Sequence, residues 1–179
     1  KRLVYGAIGI FVYVGAEVAI GSYMVNYGLE LGVDQIIRES AVLSSMASLA
    51  ASIGGKSLAG MDTKGLIGAL LTFYWGGAMI GRFIGSAVMN RMAPQRLLGF
   101  FALCAAAMTV LSVSSTGVTA LLALLSVGLF NSIMFPTIFT LGISEWGDLK
   151  PLGSGVLCTA IVGGAIIPPA VGGLADQFG

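Results

Sequence analysis

Five apolar stretches, each near or above the length needed to cross a bilayer, dominate the sequence: residues 3–27, 65–89, 97–113, 118–143 and 152–175. A spanning helix takes about 20 mostly apolar residues. Barrel strands are excluded, because the runs are far longer than a barrel strand and lack in–out alternation. Composition agrees. Of the 179 residues, 56% are hydrophobic and 9% charged, whereas soluble domains carry about 25% charged residues. The mean hydropathy is +0.96, and the 27 glycines suit helices packed closely in lipid. The predicted fold is an all-α membrane protein with five transmembrane helices, and its solvent is the lipid bilayer.

Charge and residue inventory narrow the function. Nine basic and eight acidic residues nearly cancel, which excludes a basic nucleic-acid binder and an acidic disordered tail. There are no histidines, and the two cysteines, Cys104 and Cys158, lie inside apolar runs. A zinc site, a haem pocket or a histidine-based triad has nothing to build from. No metal site, no cofactor and no enzymatic activity is expected. Lys1-Arg2 leads straight into the first span without an initiator methionine, so the chain reads as a piece of a longer polytopic protein.

The connections differ in length. Residues 90–96 form a short basic turn, 114–117 a tight polar one, and 144–151 carry Glu145, Asp148 and Lys150. The segment 28–64 is much longer than a simple helix connection. Within it Val42, Met46, Leu49 and Ile53 recur at helical spacing, which fits a short amphipathic helix on the membrane surface, with a disordered linker as the alternative. Alternating spans place Lys1, Arg2, Arg91, Arg96 and Lys150 on one side and Arg38, Lys56 and Lys64 on the other. The positive-inside bias assigns the first group to the cytoplasm and makes 28–64 the outer loop.

Few polar residues lie inside the spans, and they are the candidates for chemistry. Glu17 sits near the middle of the first span, where a carboxylate costs at least about 2.5 kcal/mol and normally faces a cavity or a partner. Tyr13, Glu17, Gly21 and Met24 share one helix face by three- and four-residue steps. That face offers a hydroxyl, a carboxylate and room for a ligand; a protonated acid bonded to a neighbouring helix is the plainer account. In the fourth span Pro136 lacks an amide hydrogen and leaves the carbonyl of Ser132 without a helical donor. Asn131, at the same depth, adds two donors and an acceptor. Broken helices at the midplane are where transporters hold polar substrates, although a kink that only shapes packing, with Asn131 bonded to another helix, explains the same residues.

In the fifth span Pro168 and Pro169 between two glycine pairs read as a hinge. In the second span Gly77, Gly81 and Gly85 form a small-residue stripe for close helix packing. Trp75, Arg82 and Ser86 lie on another face. Trp75 could stack on the apolar face of a sugar or sit at the membrane interface. Arg82, about two turns from the cytoplasmic end, could extend its guanidinium to that surface as an anchor or ion-pair partner.

Four segments together resemble a known family. These are Tyr13-Val-Gly-Ala-Glu-Val-Ala-Ile-Gly-Ser-Tyr-Met-Val-Asn26, Tyr74-Trp-Gly-Gly-Ala-Met-Ile-Gly-Arg-Phe-Ile-Gly85, Asn131-Ser-Ile-Met-Phe-Pro-Thr-Ile-Phe-Thr-Leu-Gly142 and Gly163-Gly-Ala-Ile-Ile-Pro168. In order and spacing they look like the C-terminal half of bacterial glucose/galactose transporters, of the fucose–galactose–glucose:proton symporter family in the major facilitator superfamily. Ser86, Asn90, Arg91 and Ala93 fall where the superfamily's inner-loop signature has glycine, aspartate, arginine and glycine. The resemblance makes the spans the seventh to eleventh of twelve, a partial C-terminal six-helix bundle whose partner is a missing N-terminal bundle.

The resemblance implies secondary active transport of a hexose of glucose, galactose or fucose type across the bacterial inner membrane, by alternating access and with a proton as coupling ion. Tyr13, Glu17, Trp75 and Asn131 are the expected substrate-binding residues. Arg82, Asn90, Arg91, Pro136, Pro168 and Pro169 are the expected hinge or gate residues. The family's proton-coupling carboxylates belong to its N-terminal half, so Glu17 is read as a sugar ligand. Two alternatives stay open: a major facilitator exporter of another small solute, and a non-transporting structural membrane subunit.

Overall fold

Residues 1–55 and 61–178 are described by a computed structural model in which every regular element is helical. The chain runs through α1 (Arg2–Glu30), α2 (Val33–Glu39), α3 (Ala41–Ile53), α4 (Thr63–Met89), α5 (Pro94–Ser114), α6 (Gly117–Asn131), α7 (Met134–Ile143), α8 (Lys150–Thr159) and α9 (Gly163–Phe178). Short 3₁₀ turns, Gly147–Leu149 and Ala160–Val162, precede α8 and α9. Five units are long and apolar enough to span a membrane: α1, α4, α5, α6 with α7, and the stretch Gly147–Gln177. At 1.5 Å per residue the 29-residue α1 is about 44 Å long.

Helix boundaries follow local chemistry. Asp62 caps α4, its Oδ1 accepting from the Gly65 amide at 3.1 Å. Ser40 caps α3 by accepting from the Leu43 amide, and Pro94 stands in the first turn of α5, where a missing N–H costs nothing. Gly32, with φ of +66°, turns the chain from α1 into α2 through a conformation that favours glycine.

The 28–64 segment holds α2 and α3, which meet at 108°. At about 20 Å, the 13-residue α3 is too short to cross the bilayer by itself. Its buried face is Leu43, Ala47, Ala50 and Ala51, whereas Val42, Leu49 and Ile53 of the stripe read from the sequence are exposed. The helix lies where the sequence pattern puts one, with Leu43 and Ala47 in the protein core and Val42, Leu49 and Ile53 on the outer face. Lys56 lies outside the described residues.

Small residues set the distances between helices. A Cβ at Gly128 would overlap the Tyr74 carbonyl, and one at Gly81 would overlap the Leu129 carbonyl and the Ser132 hydroxyl. Gly85 meets Ile133 in the same way, so α4 lies directly on α6 and the α6–α7 junction. On the other side of α1, Gly163 abuts the Phe11 carbonyl and Gly15 abuts Ile167. The α6–α7 span is the most enclosed of the five, whereas α5 is peripheral. Polar side chains on α6 and α7 are therefore the ones most obliged to find protein partners.

Candidate functional site

The fourth span breaks at Ser132–Ile133, between α6 and α7, one turn before Pro136. Pro136 cannot donate to the Ser132 carbonyl. Arg82 does so instead, its Nε donating across from α4 at 3.3 Å. Arg82 is exposed as a whole, so the rest of its guanidinium stays accessible. Its Nε turns into the bundle because the proline leaves a carbonyl there to satisfy.

Asn131, buried at the end of α6, is held from two sides. The Tyr13 hydroxyl of α1 donates to its backbone carbonyl at 2.9 Å. Its side-chain Nδ2 donates to the Tyr74 hydroxyl of α4 at 3.1 Å. Two helices thus converge on the broken span, α1 through Tyr13 and α4 through Tyr74 and Arg82. Glu17 lies one turn beyond Tyr13 on the same face, half-buried and within reach of the Tyr13 hydroxyl. That hydroxyl has one proton, and the Asn131 carbonyl takes it, which leaves the Glu17 carboxyl free for another partner. One turn further, a Cβ at Gly21 would meet nothing within 4 Å, so space opens beside the carboxylate.

Trp75 is half exposed on α4, its ring edge-on to that of Tyr74 with centroids 5.3 Å apart. It offers an accessible aromatic surface near the Tyr74–Asn131 pair. Among the described residues no group of metal-ligating side chains is present. Donors, acceptors and an aromatic face around open space suit a neutral polyhydroxylated ligand, which rewards paired hydrogen bonds and stacking more than net charge.

The other expected residues lie elsewhere. Asn90 and Arg91 are exposed at the turn after α4, about 12 Å along the helix from Arg82. The one ion pair among the described residues joins Arg2 to Glu145, at 3.1 Å. Pro168 and Pro169 sit inside α9, where the Tyr23 hydroxyl of α1 donates to the Pro168 carbonyl at 2.9 Å and lies over Gly172. This is a latch between α1 and α9, separate from the Asn131 cluster.

A groove of about 920 Å³ runs between α1, α5 and the α6–α7 span. Tyr13 and Asn131 reach its wall, yet its lining is dominated by residues such as Ile8, Val12, Leu98, Ala102 and Ile138. Such a surface suits a hydrocarbon or a helix and gives a sugar few partners.

Tyr74 was missed in the sequence. Tyr74, Ala78, Gly81 and Gly85 fall on one helical face. A tyrosine ending a small-residue stripe is forced into the helix interface, and its hydroxyl then needs a partner. That signal was legible.

No family model matches the chain. Over 179 residues it is 42% identical to the glucose/galactose transporter of Brucella abortus, covering all of this chain and 37% of that protein. It is 32% identical over 175 residues to the L-fucose-proton symporter of Escherichia coli, covering 98% of this chain and 34% of that one. Its fold superposes on the crystal structure of FucP, a major facilitator superfamily transporter in the outward conformation, with a TM-score of 0.79 and 30% identity. That alignment takes in 99% of this chain and 36% of FucP. The chain spans little more than a third of the length of the relatives it matches, and those relatives are transporters, not enzymes. The helical bundle, with its five membrane-spanning units, aligns over nearly its whole length with a part of the fold of a major facilitator superfamily transporter.

Proposed function

We propose that the chain is the C-terminal part of a hexose transporter of the fucose–galactose–glucose:proton symporter family, resident in a bacterial inner membrane, with the sugar bound at the α6–α7 break. The carrying observation is the convergence of Tyr13, Tyr74 and Arg82 on the break in the fourth span, beside a half-buried Glu17 and an open Gly21. Placing backbone irregularity and a carboxylate together at membrane depth is costly, and a polar substrate gives that cost a use. Glu17 and Asn131 supply hydrogen bonds to hydroxyls, and Trp75 supplies a stacking face. The names of the relatives support glucose, galactose or fucose as the substrate class, and the L-fucose-proton symporter supports a proton as coupling ion. An N-terminal bundle of the same protein would close the other side of the site. Alternating access would rock the two bundles about it.

The test is uptake by the full-length protein in proteoliposomes. An inward proton gradient is expected to drive accumulation of labelled glucose or galactose, with competition by unlabelled hexoses and none by organic anions. Transport of an anion or a hydrophobic cation, with no response to any hexose, would replace the sugar reading by that of an exporter.

A further inference from the structure

We propose that Tyr74 is a positioning residue of the sugar site: through its hydroxyl it fixes the amide of Asn131, and it does not itself touch the substrate. The inference rests on the sugar-binding reading above and deepens it. Tyr74 is 0% exposed, so a ligand entering the open space cannot reach it. Its place is fixed by packing. The Gly128 backbone lies against its carbonyl, and the Trp75 ring stands edge-on to its own at 88°. A hydroxyl on so rigid a ring is a fixed point, and Asn131 Nδ2 is bonded to it.

The amide has two N–H donors and a carbonyl oxygen that accepts. One donor is taken by Tyr74, and among the described residues the side chain makes no other bond. The oxygen and the second N–H are the edge left for a ligand's hydroxyls, for Asn131, unlike Tyr74, keeps 6% exposure and reaches the wall of the groove. Because the Asn131 carbonyl is tied to Tyr13 of α1 and its side chain to Tyr74 of α4, the residue is held at both ends. Without the Tyr74 hydroxyl the side chain loses the bond that selects its orientation. Binding must then fix it, which weakens affinity by about three- to tenfold.

The experiment measures equilibrium binding of glucose and its monodeoxy analogues to the full-length protein, together with the maximal exchange rate. The carriers compared are native, Tyr74→Phe, Asn131→Ala and the double variant. Tyr74→Phe is expected to raise the Kd about three- to tenfold with the maximal rate unchanged. The double variant should bind no more weakly than Asn131→Ala, since Tyr74 acts only through the amide. The deoxy analogue that is insensitive to Asn131→Ala should also be insensitive to Tyr74→Phe. A variant that folds less completely loses binding sites, while the Kd of the remaining sites still reports positioning. Native affinity in Tyr74→Phe beside weakened binding in Asn131→Ala would overturn the positioning role alone, as would additive losses in the double variant. Native affinity in Asn131→Ala would remove that residue from the sugar site and this inference with it.

Discussion

Replacing Glu17 with glutamine in the full-length protein is expected to weaken hexose binding about tenfold or more. The amide keeps the shape and one acceptor but loses charge-assisted hydrogen bonds worth about 1.5–3 kcal/mol. Glu17→Ala should bind more weakly still, because the sugar hydroxyls would then lose their acceptor without replacement, while the Tyr13 hydroxyl keeps the Asn131 carbonyl. Proton coupling is expected to survive in Glu17→Gln, because the resemblance implies that the coupling carboxylates lie in the other half. A direct binding measurement beside a proton-flux measurement separates the outcomes. If Glu17→Gln kept native affinity and lost only proton-driven accumulation, the carboxylate would be a coupling group and the binding role assigned to it would be wrong.

The second large effect is expected at Gly128. A side chain there would be driven into the Tyr74 carbonyl, a backbone group that cannot swing aside. Overpacking a rigid interface costs about 1–3 kcal/mol, and more when backbone must separate. Gly128→Val should therefore leave little folded carrier, read as a lowered melting temperature and loss of the monodisperse peak in detergent. Gly99→Ala is the control, since a Cβ there meets nothing within 4 Å. It should be neutral or slightly stabilising, because alanine is favoured over glycine in a helix interior by about 1 kcal/mol. Equal melting temperatures for the two variants would show that α4 and α6 are not in the close contact described here.

The helical architecture was legible because hydropathy is summed over some 20 residues, so no single side chain decides it. The function of Gly77, Gly81 and Gly85 was also readable: a four-residue repeat of the smallest side chain marks a face where backbones touch, and those glycines do lie on α6 and its junction with α7. Which face of α3 packs on protein rests on tertiary contact. Leu43 and Ala47 on one face and Val42 and Leu49 on the other differ little in apolarity, and tertiary contact chooses between them. The break in the fourth span shows the same limit at the site. Pro136 announces a free carbonyl at Ser132, yet nothing in the letters says that the donor will be Arg82, fifty residues earlier.

Backbone acceptors explain most of what sequence reasoning could not place. Tyr13 bonds the Asn131 carbonyl at the break in the fourth span, and Tyr23 the Pro168 carbonyl in the proline-containing α9. A side chain's letter shows that it can donate; it does not show which distant carbonyl the fold leaves in need. Tyr13 and Asn131 were singled out separately for the chemistry of their side chains. Their direct contact runs through the Asn131 main chain, and the amide is engaged by Tyr74 instead.

The location of the sugar is tested most directly by protection of a cysteine at Gly21, where the structure leaves open space one turn from Glu17. In the full-length protein, with Cys104, Cys158 and any other native cysteine replaced, Gly21→Cys should react with a charged, membrane-impermeant maleimide. Saturating glucose or galactose is expected to slow that labelling strongly, and Glu17→Gln should shift the protecting concentration upward by about tenfold. Labelling that proceeds at the same rate with and without a transported hexose would place the sugar elsewhere and contradict the site built on α1, α4 and the α6–α7 break.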